Sequence, residues 1–427
     1  MRRSKLTATR ALWVVLALVA LGGLGGCSSK DMAASAGSGG SGGGGGEMDA
    51  STAGRDDSGA TDSLDGQIVD VHGGELCRFG DADTSGFAGH PQLTDVSLAR
   101  HDQRIALAYH DADGRPVLEL LALSGADADH ADDDHIELAD VAGTGVRVIA
   151  TRTGFAASWW HDSELHLARL TPDAEIESSV TLLERAGART TGMVADAASD
   201  RVYLALRDGL NPDEGALVLV ETSDELSEPS VGELLEDEDS PESAALFLAS
   251  STPSVAWSSE GSLLFSSLEG GDAPVVVAEE VTGMFDVAGS MDHVAFAYAL
   301  RAGDVERVRY RSFDVEGEAR LSPQDVQRAP ASLRDASIAL FGQGYALAYR
   351  SLVSRDFSDN TIRIAFMSVT GLVVYQGDVA ATSRAGGQTD IVADDDGAVA
   401  LAWFDSDEVK VQIRRMQCPV ALDLCNQ

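Results

Sequence analysis

The sequence predicts an all-β fold, a closed seven-bladed β-propeller of four-stranded antiparallel blades, placed after a signal peptide and a Gly/Ser-rich linker. The main observation is a repeated phrase of alternating small and apolar residues, usually ending in an aromatic. Its copies are Arg104-Ile-Ala-Leu-Ala-Tyr109, Gly154-Phe-Ala-Ala-Ser-Trp159, Arg201-Val-Tyr-Leu-Ala-Leu206, Pro253-Ser-Val-Ala-Trp257, His293-Val-Ala-Phe-Ala-Tyr298, Gly344-Tyr-Ala-Leu-Ala-Tyr349 and Gly397-Ala-Val-Ala-Leu-Ala-Trp403. Their terminal residues are 50, 47, 51, 41, 51 and 54 residues apart, and a four-stranded blade takes about 40 to 50 residues. Around each phrase, further period-two runs are bounded by Asp-Gly and Asn/Ser/Gly clusters, the pattern of short antiparallel strands.

The chain opens with Arg2, Arg3, Lys5 and Arg10 ahead of an unbroken apolar run from Ala11 to Leu21. That is the charge-then-apolar layout of an export signal, and the run is too short for a bilayer, which needs about 20 residues. Leu24-Gly25-Gly26-Cys27 follows. It resembles the lipobox of bacterial lipoproteins, in which an aliphatic residue and two small ones precede the cysteine that becomes the lipidated N-terminus. The resemblance implies cleavage before Cys27, acylation of its thiol and a membrane-anchored product. Ser28, rather than an aspartate, points toward the outer membrane rather than the inner one. Residues 1–26 are therefore the expected signal peptide.

Residues 27–63 carry Ser35-Ala-Gly-Ser-Gly-Gly-Ser-Gly-Gly-Gly-Gly-Gly46 and a Ser/Thr/Asp/Gly mixture. Such a segment buries too little apolar surface to offset its ordering entropy, so the expectation is a tether with an r.m.s. reach of roughly 30 Å. Residues 64–427 are the expected propeller. Removing the four leader cations takes the formal charge from −38 to −42. A chain this acidic repels polyanions, which excludes DNA, RNA and anionic lipid surfaces as electrostatic partners.

Within the first repeat, Thr94 to Ala99, Arg104 to Tyr109, Pro116 to Leu123 and His135 to Val141 read as strands a to d. Later a strands are expected at Val146 to Thr151, Gly192 to Ala197, Ala245 to Ser250, Gly283 to Ala288, Asp335 to Leu340 and Thr389 to Ala393. The phrase itself is strand b. Its alanines suit sheets that face one another closely near an axis, and its terminal Tyr or Trp fills space between blades. Seven copies in register argue for packing over a carbohydrate platform, because a ligand needs one aromatic and a fold needs them all. Over residues 64–427 the pattern resembles the divergent bacterial seven-bladed propellers, with no WD, kelch or Asp-box signature.

Closure has two candidate suppliers, an N-terminal strand at Ile68-Val69-Asp70-Val71 or the C-terminal Val420 to Leu424. Cys77, Cys418 and Cys425 allow one disulfide in an exported chain: Cys77 to a C-terminal cysteine, or a local Cys418 to Cys425 bridge. No Cys-x-x-Cys argues for redox chemistry.

For ligands, the b–c loops carry Asp111, Asp162, Asp208, Asp356 and Asp405, an expected acidic rim that would attract cations or a basic protein surface. Polar turns favour Asp in any fold, which is the competing explanation. Asp81, Asp83 and Ser85 open like an Asp-x-Asp-x-Ser calcium loop, but Gln92 stands where a bidentate Glu belongs. His161 and His166 lack a third ligand nearby, and a five-residue spacing along one strand would put them on opposite faces. No Gly-x-Ser-x-Gly elbow or phosphate loop is present within residues 64–427. The expected function is a non-enzymatic binding or assembly scaffold with no cofactor and a protein partner. Its alternatives are a glycan-cleaving enzyme with carboxylates at the channel mouth and a calcium-stabilised adhesion module.

Overall fold

The computed structural model describes residues 67–69, 75–78 and most of 84–418; the exceptions are 124–133, 197, 209–215, 224–225, 227–228, 236–242, 269–272, 303–304, 330–332, 343, 353–359, 369–370, 372 and 383–387. Cys27 with Leu24, Gly25 and Gly26, the tether, Asp81, Asp83, Asp356 and Cys425 lie outside the described residues.

No helix occurs among the described residues; the chain folds into seven antiparallel sheets. Blade 1 consists of Ser97–His101, Arg104–His110, Pro116–Ala122 and Asp134–Glu137, in that order from the axis outward. Blades 2 to 6 repeat the plan, beginning with inner strands Thr144–Thr151, Arg189–Asp196, Ser243–Ala249, Val281–Gly289 and Leu333–Phe341. Blade 7 begins with Thr389–Ala393. Each inner strand packs beside the next and the seventh packs beside the first, so the ring is closed.

The inner strands of blades 2 to 6 start two to three residues earlier than the alternation suggests. All but that of blade 4 have a bulge near the start, between Thr144 and Arg147, Thr190 and Gly192, Val281 and Phe285, and Arg334 and Ala336. A bulge adds an unpaired residue and shifts the inward and outward phase, so period-two reading finds only the strand beyond it.

Closure corrects one expectation. The N-terminal side does supply the outer strand of blade 7, but the strand is Thr84–Ala88, which pairs antiparallel with Lys410–Gln417 from Thr84 opposite Arg414 to Ala88 opposite Lys410. Gln67–Val69 instead pairs with Glu75–Arg78, which touches the blade through Arg78 opposite Gln417. Ser85 and Gly86 therefore lie inside a strand, and the Ser85 side chain is buried. A disulfide joins Cys77 to Cys418 across 341 residues, beside the same seam.

The buried apolar residues form seven clusters, one at each interface between adjacent blades. Strand b shows why the phrase has its form. In blade 6, Tyr345, Leu347 and Tyr349 pack toward blade 5, while Ala346 and Ala348 pack toward blade 7. Blade 7 repeats this with Val399, Leu401 and Trp403 on one side and Ala398, Ala400 and Ala402 on the other. Alternation thus separates a bulky face from an alanine face, and the bulky face meets the thin face of its neighbour; blade 3 departs from this, since Tyr203 stands with Ala205 on its face toward blade 4. Every phrase-terminal residue, from Tyr109 to Trp403, sits in an interface cluster and is buried. Truncating one such aromatic removes about 3–5 kcal/mol.

Candidate functional site

Register places one residue of each inner strand at a common level. Ser97, Arg147, Gly192, Ala245, Asp286, Ser337 and Asp390 pair respectively with Ala108, Ser158, Ala205, Ala256, Ala297, Ala348 and Ala402. In every blade that partner is the residue just before the phrase's terminal one. All seven line one axial cavity of about 820 Å³. Its other walls come from the starts of the inner strands and from Trp160, Asp162 and Arg207 at the b–c ends, so it opens on the face where the d–a and b–c loops meet.

Two carboxylates and a hydroxyl form its most connected group. Ser337 Oγ donates toward Asp286 Oδ2 at 3.1 Å and Asp390 Oδ1 at 3.2 Å. Asp286 Oδ2 also accepts the backbone N–H of Ile338 at 2.9 Å, reaching from blade 5 to blade 6. Asp390 accepts the backbone N–H groups of Leu98 at 2.7 Å and Ile391 at 2.8 Å. Ser97 continues the circuit, since its Oγ accepts Val148 N–H at 3.1 Å and faces Val148 O at 3.3 Å. These side chains join neighbouring blades at the level where their inner strands come together.

Both aspartates face the cavity and are half-buried. Burial first and the nearby Asp390 second push the Asp286 carboxyl up to about 7, against the hydrogen bonds from Ile338, Val287 and Ser337. Burial also raises Asp390, opposed by the Leu98 N–H and the positive charge of Arg147. Gly192 carries no side chain for a steric reason: a Cβ there would stand 2.7 Å from the backbone nitrogen of Leu246 in blade 4.

The four described residues of the expected acidic rim each have a local partner. Asp111 Oδ1 accepts the backbone N–H groups of Asp113 and Arg115, and Asp405 Oδ1 those of Asp407 and Glu408. Both brace their own turns, as Asp side chains commonly do. Asp208 pairs with Arg185 at 2.6 Å. Asp162 occupies a turn at φ 54° on the cavity rim, with its carboxylate 3.6 Å from His161. His161 and His166 do approach, with ring centroids 6.5 Å apart, because a hairpin turn rather than continuous strand separates them. No group of three metal-ligating side chains forms among the described residues.

The ring residues escaped the sequence reading, although a signal for them exists. Arg147 and Asp286 interrupt apolar runs, in Val146-Arg147-Val148 and Phe285-Asp286-Val287, and Asp390 stands just before one, Ile391-Val392-Ala393. Only the repeat register reveals that these positions are equivalent.

No family model matches the chain. No curated protein is similar to it in sequence at a significant level. Among solved structures it is similar to a PL25 ulvan lyase, with a TM-score of 0.51 and 10% identity over 79% of this chain and 95% of that one. It also resembles the WD40 domain of SCAP from fission yeast, with a TM-score of 0.43 and 8% identity over 80% of this chain and 98% of that one. A puromycin-hydrolyzing peptidase from Mycobacterium tuberculosis gives 0.48 and 14% over 78% of this chain and 55% of that one. The chain is a divergent seven-bladed propeller. These likenesses are of fold alone.

Proposed function

We propose that this propeller is an exported, lipid-anchored binding module whose ligand seats in the axial cavity. The observation that carries the reading is the cavity itself: about 820 Å³, with a residue from each of seven inner strands at one level and a mouth on the loop face. A space of that size suits a small molecule or the end of a longer chain. Cys27 would supply the membrane attachment and residues 27–63 the reach above it. A non-catalytic role is favoured because Asp286 and Asp390 spend carboxylate oxygens on backbone N–H groups of adjacent blades, which makes them ties between blades.

A second reading, a glycan-cleaving enzyme, draws on one observation. Asp286 is held near neutrality beside another carboxylate in a cavity, and a carboxyl in that range is suited to proton transfer. Incubation with envelope glycans distinguishes the two. Binding without turnover supports the first, whereas product formation abolished by both Asp286→Asn and Asp390→Asn replaces it with the second.

The cavity is tested with Ala245→Trp, which places a large ring at the common level. Retention of short envelope glycans and peptides by the wild type, lost in this variant at an unchanged melting temperature, is the expected result. Equal retention by both proteins overturns the cavity reading. The anchor is tested by labelled palmitate incorporation, expected in the wild type and absent in Cys27→Ala.

A further inference from the structure

Resting on the cavity reading, we infer that the ligand carries an oxyanion, a carboxylate or a sulfate, held on the side of the cavity built by Arg147, Arg189 and Arg207. The argument begins with charge. The chain holds 69 acidic residues against 31 Lys and Arg, and many of its described arginines sit against carboxylates, as in Arg152 with Asp200, Arg169 with Glu177 and Arg309 with Asp325. Three arginines nevertheless line one cavity from two adjacent blades.

Arg189 and Arg207 are direct cross-strand partners. The pairing sets the two side chains next to each other on the cavity wall. Neither Arg147 nor Arg189 makes an ion pair with any described residue, and the Arg147 Nε is buried without a hydrogen-bond partner among them.

Four carboxylates also line the cavity, Asp95, Asp162, Asp286 and Asp390, and none makes an ion pair with Arg147 or Arg189. Asp286 and Asp390 stand on blades 5 and 7 and direct oxygens at Ile338, Leu98, Ile391 and Ser337. Asp390 lies within electrostatic range of Arg147, but it makes no close ion pair with it. Arginine's planar fork matches carboxylate and sulfate oxygens in pairs. A bound oxyanion would supply the ion-pair partner that Arg147 and Arg189 lack among the described residues.

The test is calorimetric titration of the full chain with citrate and with sodium sulfate at constant ionic strength, in wild type, Arg147→Gln, Arg189→Gln, Arg147→Lys and the surface control Arg301→Gln. One anion is expected to bind with unit stoichiometry, about tenfold or more weaker in each Gln variant, partly restored in Arg147→Lys and unchanged in Arg301→Gln. Preference for citrate or for sulfate identifies which oxyanion the site takes. Absence of binding by either anion, or binding that survives both Gln substitutions, overturns the inference. Glycan and peptide retention that Ala245→Trp abolishes and the Gln variants preserve removes the oxyanion alone. Retention indifferent to Ala245→Trp removes the cavity reading beneath it.

Discussion

The carboxylate of Asp390 accepts the backbone N–H of Leu98 at 2.7 Å, joining the last inner strand to the first across 292 residues. It is a ring-closing bond made by a side chain, and it leaves the ladder bonds of both strands intact. Replacing Asp390 with Ala strands the N–H groups of Leu98 and Ile391, which costs about 1–3 kcal/mol. Asp390→Asn keeps an acceptor and should lose less. Urea unfolding measures both; an alanine variant as stable as wild type would show that the bond contributes nothing to closure.

Asp286 gives a pH dependence with a definite sign. Its carboxyl is raised from 3.8 to about 7, so between those values the folded chain holds a proton that the unfolded chain has released. Its stabilising contribution is full below the lower value and fades as pH rises through the higher one. The stability of wild type relative to Asp286→Asn should therefore decline between about pH 4 and pH 7 and then level off. Chemical denaturation of both proteins across that range decides it, and a flat or rising difference would contradict the raised carboxyl.

Gly192 tests how tightly the wheel is drawn together. It occupies the common level in blade 3, and a methyl group there meets the Leu246 backbone nitrogen, which has no rotamer by which to yield. Gly192→Ala should cost about 1–3 kcal/mol by overpacking. Ala245→Gly, beside it in blade 4, should not restore the loss, because the added methyl meets the backbone of Ala245 and Leu246 rather than the Ala245 side chain. Melting temperatures of the single and double variants check this.

Blade number and the packing role of the phrase were legible because a bulky-face, thin-face pattern recurs around the ring, from Tyr109 to Trp403, with Tyr203 as an exception. Strand starts were not, since the bulges at Thr190/Gly192 and Arg334/Ala336 shift phase at the positions where alternation must be read. The acidic loop residues attracted attention through their chemistry, yet Asp111 and Asp405 are occupied with their own turns. Asp286, Ser337 and Asp390 are far apart in sequence, and only ring closure makes them neighbours. Thr84–Ala88 was likewise hidden, because its partner lies more than 300 residues away at the other end of the chain.

The Cys77–Cys418 bridge ties the N-terminal segment to the end of the last strand, beside the Thr84–Ala88 pairing. In the chain-entropy account, tying residues 341 apart removes unfolded conformations worth up to about 5 kcal/mol. Both cysteines are buried within the interface of blades 6 and 7, so alanine is the suitable replacement and adds a small packing loss of its own. The Cys77→Ala/Cys418→Ala protein should still close, because the five pairs from Thr84 to Ala88 against Lys410 to Arg414 remain. It should unfold at markedly lower urea with a steeper dependence on denaturant, as an uncrosslinked unfolded chain exposes more surface. A double variant with the wild-type midpoint and slope would place closure entirely in the strand and the Asp390 bond.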